Sequence, residues 1–203
     1  MQKGKRMSSE ERKKQIINAA MKIFSEKGFQ GTKTKDIAKA SNISEAMIFK
    51  FFKNKEDLYK AIISSTVKDH SKEISDLQSN ISNLPTVLKE FILHVIDLNE
   101  NDPTFLRLIL YSSLEEHELA HNFTETHLLS EREEFAKAIE KGIQAGEYRE
   151  VNPRLVAQIF HYLMGGYCIE RFVLGTNKNL PFDNNEVAEI MVDIFLNGLR
   201  KHK

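Results

Sequence analysis

Apolar side chains recur along this chain three and four residues apart, while the two-residue alternation of half-buried strands is almost absent. The pattern predicts an all-α protein. Ile16, Ile17, Ala20, Ile23 and Phe24 mark one buried face of a first helix from about Ser9 to Lys27. Ser8 or Ser9, ahead of Glu10 and Glu11, supplies its start, and Gly28 supplies its stop, a turn role rather than a contact role. Two short helices follow, near Thr34 to Ser41 and Glu45 to Phe51, and a long fourth helix opens at about Lys55 and runs to about Gln78. Pro85 and Pro103 suit the first turns of a fifth helix, ending near Asn99 and Asn101, and of a sixth, ending near Glu116. A seventh from Leu128 to Ala145 is stopped by Gly146, an eighth from Pro153 to Leu174 is closed by Gly175, and a ninth runs from Glu186 to Arg200.

Between the second and third helices lies Ser41-Asn42-Ile43-Ser44, in which Asn42 tolerates the left-handed turn conformation and Ser44 can cap the next helix. Two short helices joined this way form a helix-turn-helix, which lays its second helix in the major groove. Glu45, Ala46, Met47 and Lys50 then meet base edges, while Ile43, Ile48 and Phe52 face the core. The plain alternative is a three-helix core whose turn has no further meaning.

Charge distribution favours the DNA reading. The chain is neutral overall, yet residues 1–60 hold 15 lysines and arginines against 7 carboxylates, and residues 61–203 hold 14 against 22. A polyanion is attracted to the first part and repelled by the second. The single cysteine, Cys168, excludes an internal disulfide framework and a multi-cysteine zinc site, and suits a reducing cytoplasm; it reads as a small buried hydrophobe. The longest apolar run, Val156 to Leu174, contains Gln158, His161, Glu170 and Arg171, so no membrane partner is expected.

Ile17-Asn-Ala-Ala-Met-Lys-Ile-Phe24, Glu26-Lys-Gly-Phe29, Thr32, Asp36-Ile-Ala38, Ile43-Ser44, Ile48-Phe49-Lys-Phe-Phe52, Asn54-Lys-Glu56 and Leu58-Tyr59 closely resemble the DNA-binding domain of the tetracycline-repressor (TetR) family. The match covers about a quarter of the chain, in one order and register. The resemblance implies a nine-helix fold, with a helix-turn-helix domain at residues 1–54 and a helical effector-binding and dimerisation domain at residues 55–203. It implies homodimerisation through the last two helices, and release from a palindromic operator when a small molecule binds. Thr32, Lys33, Thr34, Lys35, Ser44, Phe49 and Lys55 join the four groove-facing residues as the expected DNA contacts. Where the family commonly has a tyrosine whose hydroxyl reaches a phosphate, this chain has Phe49, which cannot make that bond; neighbouring lysines can offset a loss on the order of 1 kcal/mol.

For the remainder, apolar and aromatic residues on helices five to eight make the expected effector pocket: Phe91, Val95, Phe105, Leu108, Tyr111, His117, Phe123, Phe135, Phe160, Met164 and Tyr167. Val156, Ile159, Leu163, Ile190 and Ile194 make the expected dimer interface, with Gly165 and Gly166 allowing close helix approach. A rival signal is His117-Glu-Leu-Ala-His121, a literal zinc-hydrolase HExxH with His127 at the spacing of a third ligand. Thr124 stands where that pattern requires glycine, and no strand precedes it to seat a peptide. The reading is therefore a regulator rather than an enzyme, with no cofactor and no metal.

Overall fold

The computed structural model describes residues 7–66, 83–176 and 182–200. Among these residues nine helices account for nearly all regular structure, and the only extended pairing is an isolated bridge between Tyr148 and Arg200. They are α1 (Ser9–Gly31), α2 (Thr34–Ala40), α3 (Glu45–Phe51), α4 (55–66), α5 (Leu84–Asn101), α6 (Thr104–Leu114), α7, α8 and α9 (Asn184–Asn197). The last part of the predicted fourth helix, 67–78, lies outside the described residues. α7 opens at Glu118, passes through a π-helical stretch at Thr124–Leu128 and continues as Leu129–Gln144; α8 runs over Pro153–Cys168 and ends in a π-helical stretch, Ile169–Leu174. The seventh helix thus starts ten residues earlier than the pattern predicts. No glycine or proline stops the helix between Glu118 and Leu128, and it runs on through the π-helical stretch.

Local chemistry accounts for the helix ends. Ser8 accepts from Glu11 N while Glu11 accepts from Ser8 N at 2.6 Å, a reciprocal capping box. Asn152 caps α8 ahead of Pro153, Asp183 caps α9, and Gly175 closes α8 at φ 69°.

The helices divide into two compact units, and not at residue 54. One gathers α1–α4 with Arg107–His121; the other holds α5, the start of α6, and the chain from Asn122 onward. The predicted boundary would cut α4 away from α1–α3, yet Leu58, Tyr59 and Ile62 of α4 are fully buried with Ile16, Phe24, Ile37 and Ile48 in the first unit's interior.

In the second unit α7 packs on α8 and α9 packs on α5. A ladder of rings runs through its core: Phe91 to Phe135 at 5.1 Å, Phe135 to Phe160 at 5.5 Å, and Phe160 to Phe195 at 5.0 Å. His161 is buried among them and donates Nδ1–H to Ala157 O at 2.9 Å, with Nε2 3.8 Å from Glu131. Cys168 is buried, and burial pushes its thiol up to about 11, which removes thiolate reactivity at neutral pH. Tyr148 folds back onto α7 at Gly142, where an added Cβ would come within 2.3 Å of its ring.

Overpacking that contact costs about 1–3 kcal/mol, more than the helix-propensity gain of about 1 kcal/mol from replacing glycine by alanine. Gly142→Ala therefore lowers the midpoint of urea unfolding, with m unchanged; a raised midpoint would show that the Tyr148 ring moves aside without loss.

Candidate nucleic-acid interface

α2, the turn and α3 are locked before any ligand arrives. Asn42 adopts φ 53°, letting Ile43 N reach Ala38 O at 3.0 Å and closing the turn in two residues. Gln15 of α1 donates to Ser41 O at 2.9 Å, and the Ser41 hydroxyl is turned back onto Ile37 O. Ser44 caps α3 by accepting from Met47 N at 3.3 Å. Ile48 and Phe52 are buried and Ile43 half-buried, as their spacing predicts, so α3 has one anchored edge and one free edge.

The free edge is made of Glu45, Ala46, Phe49 and Lys50, all exposed, with Met47 half-buried beside them. Lys33 and Lys35, at the start of α2, are exposed as well. Thr34 donates its hydroxyl to Glu45 at 2.7 Å, tying the first residues of α2 and α3 together. The face therefore combines cations at its margin with an apolar and acidic centre. Phe49 is half out in solvent and brings a ring to this face where the family's tyrosine would bring a hydroxyl.

Three of the expected contacts already hold partners within the protein. Thr32 is 2% exposed and donates its hydroxyl to Gly28 O at 2.7 Å, and the Ser44 hydroxyl is occupied as a cap. Lys55 turns inward: its ammonium donates to Phe29 O at 2.8 Å and Thr32 O at 3.1 Å and lies 4.0 Å above the Phe29 ring. The short reach from the first turn of α4 to the end of α1 makes these carbonyls its nearest acceptors. Asn54 caps the start of α4 by accepting from Asp57 N at 2.8 Å, and the Asp57 carboxylate accepts from Lys53 N at 2.9 Å.

One contact to the end of α1 has no signal in the local sequence. α6 ends in a tight corner with Glu116 at φ 52°, which aims Glu115 and His117 at the end of α1. The Glu115 carboxylate accepts from Phe29 N at 2.7 Å and Gln30 N at 3.0 Å, and Tyr111 donates to Glu26 O at 3.3 Å. His117 packs tilted against Phe29 and edge to face with Tyr59, at 4.5 and 5.0 Å; burial there pulls its pKa below the usual imidazole value, partly offset by Glu115, Glu118 and Glu56. Burial pushes the Tyr59 phenol up to about 12.

The expected pocket residues fall in both units. Leu108, Tyr111 and His117 belong to the first unit, whereas the other eight belong to the second. Phe91, Phe135, Phe160 and Met164 are close-packed core; Val95, Phe105, Phe123 and Tyr167 are half-buried, with Phe105 and Phe123 edge to face at 5.5 Å. A cleft of about 910 Å³ lies elsewhere in the second unit, between the start of α5, the end of α7 and Tyr148, and only Phe135 of the expected residues reaches it. Periodicity marks which residues are buried, not which buried residues leave a gap.

Of the expected dimer residues, Ile159, Leu163, Ile190 and Ile194 are 51, 43, 51 and 64% exposed, with Leu155 and Tyr162 open beside them. Val156 instead packs half-buried against the core. Nothing lies within 4 Å of a Cβ placed on Gly165 or Gly166, so neither serves a close approach within the described chain. The HExxH spacing is not realised on one helix, because His117 precedes α7 while His121 is on it. Among the described residues no three His, Cys, Asp or Glu side chains converge as metal ligands, and no helix is long and apolar enough to cross a membrane.

Comparison with known proteins agrees with this geometry. Residues 16–62 match the sequence profile of the bacterial regulatory proteins of the tetR family, and residues 86–198 match that of the AefR-like transcriptional repressor C-terminal domain. The chain is 28% identical over 195 residues to the uncharacterized HTH-type transcriptional regulator YvkB of Bacillus subtilis, covering 92% of this chain and 96% of that one. It is 27% identical over 164 residues to the probable HTH-type transcriptional regulator YttP of the same organism, covering 79% of each. The fold matches the crystal structure of the regulator FadR from Bacillus subtilis in complex with stearoyl-CoA, with a TM-score of 0.68 and 21% identity over 91% of this chain and 98% of that one. With matches over both its helix-turn-helix and its later helices, the chain belongs to the TetR family of transcriptional regulators and carries that family's DNA-binding domain.

Proposed function

We propose that this protein is a cytoplasmic, non-enzymatic repressor that binds a palindromic operator as a homodimer and leaves it when a small apolar molecule enters the second unit. The observation that carries the reading is the exposed apolar stripe of α8 and α9. Leu155, Ile159, Leu163, Ile190 and Ile194 are large hydrophobes open to water on the two helices through which the resemblance implies dimerisation. Apposing this stripe on its copy removes it from water, and the two-fold axis so made presents two α3 helices to two half-sites. The match to a transcriptional repressor C-terminal domain supports the sign of regulation.

Lys33 and Lys35 supply the positive margin, while Ala46 and Met47 favour thymine methyls over hydrogen-bonded purine edges. Phe105, Phe123, Val95 and Tyr167, the half-buried members of the expected pocket, are the side chains that an apolar effector can displace without dismantling the packed ladder. Acyl thioesters are a natural first probe, because the structurally similar FadR holds stearoyl-CoA. An effector must favour a conformation in which the two α3 helices no longer match successive grooves, since equal affinity for both states would shift nothing.

Ile159→Glu combined with Ile194→Glu gives a monomer at micromolar concentration in sedimentation and abolishes tight operator binding; a variant still dimeric would overturn the assigned face. In gel shifts, Lys35→Ala weakens binding to every duplex alike and lowers the slope of log affinity against log salt by about 0.9, whereas Met47→Ala and Lys50→Ala change the ranking of operator variants. Equal losses from all three on every duplex, with an unchanged slope, would sink the division of roles. Adding stearoyl-CoA to the operator complex is expected to release DNA, and Phe123→Ala to blunt that release.

A further inference from the structure

We infer that Glu115 is a positioning residue for DNA binding: from the corner after α6 it sets the geometry of the elbow between α1 and α2. The inference rests on DNA binding by α3. The last turn of α1 is a separate piece of helix, because Gly28 breaks the path at φ 70° and ψ 177°. That break frees the Phe29 and Gln30 amides at the start of a new turn, and the Glu115 carboxylate takes both. At the other end of the same turn, Lys55 takes the Phe29 and Thr32 carbonyls. An anion on its amides and a cation on its carbonyls match the dipole of the turn at both poles.

Gly28 is part of the same arrangement. A Cβ there would stand 2.4 Å from Glu115 Oε1, and a positive φ is costly for any side chain. The position therefore serves both the backbone path and the approach of the carboxylate. Two residues beyond the held turn comes Lys33, and α2 starts at Thr34. Thr34 in turn binds Glu45 at the head of α3, so the elbow carries the margin and the leading edge of the DNA-binding face. Glu115 itself is half-buried and already holds two amides, a role distinct from touching DNA.

A residue that positions the face should change affinity without changing the number of phosphates met. The test uses the full chain, a palindromic duplex selected from random DNA with the parent protein, and the variants Glu115→Gln and Glu115→Ala. Glutamine presents an NH₂ group to one of the two amides and so cannot replace the carboxylate. Operator affinity is expected to fall by about tenfold or more, with an unchanged salt slope, at a temperature where circular dichroism shows both variants fully folded. In parallel, amide hydrogen exchange at Phe29 and Gln30 should rise in the variants while α8 keeps its protection. Affinity equal to that of the parent, a loss that vanishes on cooling below the melting transition, or a reduced salt slope would each overturn the inference. Failure of the parent to select any duplex would instead overturn the DNA reading, and the exchange experiment would still decide whether Glu115 holds the turn.

Discussion

A single peptide turn, Phe29 to Gly31, has each of its polar ends met by a charge from a distant part of the chain. The left-handed backbone at Gly28 creates it, and the Phe29 ring, stacked on Phe24 and tilted against Tyr59 and His117, fixes it in the interior. The later parts of the helix-turn-helix are referred to this turn: Thr32 is bonded back to Gly28, α2 leaves from Lys33, and α3 is anchored through Asn42 and Gln15. Without a fixed origin, the capped and well-packed α3 would be rigid in itself yet carried on a loose elbow.

The second unit solves a different problem. Its interior is filled by rings and branched aliphatics, with His161 satisfied at Nδ1 by the backbone one turn earlier. On α8 and α9 it leaves apolar side chains exposed to water among the described residues. The π-helical stretches at 124–128 and 169–174 both fall in this unit, and each inserts a wider turn into an otherwise regular helix. Packed core, open stripe and widened turns thus belong to one unit, and the exposed lysines of α2 and α3 belong to the other.

Much of this is legible in the sequence wherever the cause is local. The Ser8 capping box, the left-handed Asn42, the Ser44 cap, the terminal glycines and the buried Ile48 and Phe52 all follow from residues within a turn or two of one another. The exposed Ile159, Leu163, Ile190 and Ile194 are legible as apolar excess on two amphipathic helices. Lys55 and Thr32 look like surface groups in the sequence because spacing does not show which carbonyl a side chain will find. Glu115 leaves no trace there, since its partners lie more than eighty residues earlier. The expected pocket residues are scattered for the same reason: the fold sorts eleven residues of suitable character into two units, and buries four of them in the core.

The first unit is completed by Arg107–His121, a segment made well after α4. As the chain leaves the ribosome, the helix-turn-helix emerges before Glu115, Tyr111 and His117 exist, and the amides of Phe29 and Gln30 then face water. Because translation adds residues at about 5–20 per second, a nascent chain spends seconds in that unfinished state. Chain order therefore delays completion of the DNA-binding unit until the corner after α6 has been synthesised, so a truncated product ending before it carries the recognition helix but not the group that holds its mount in place.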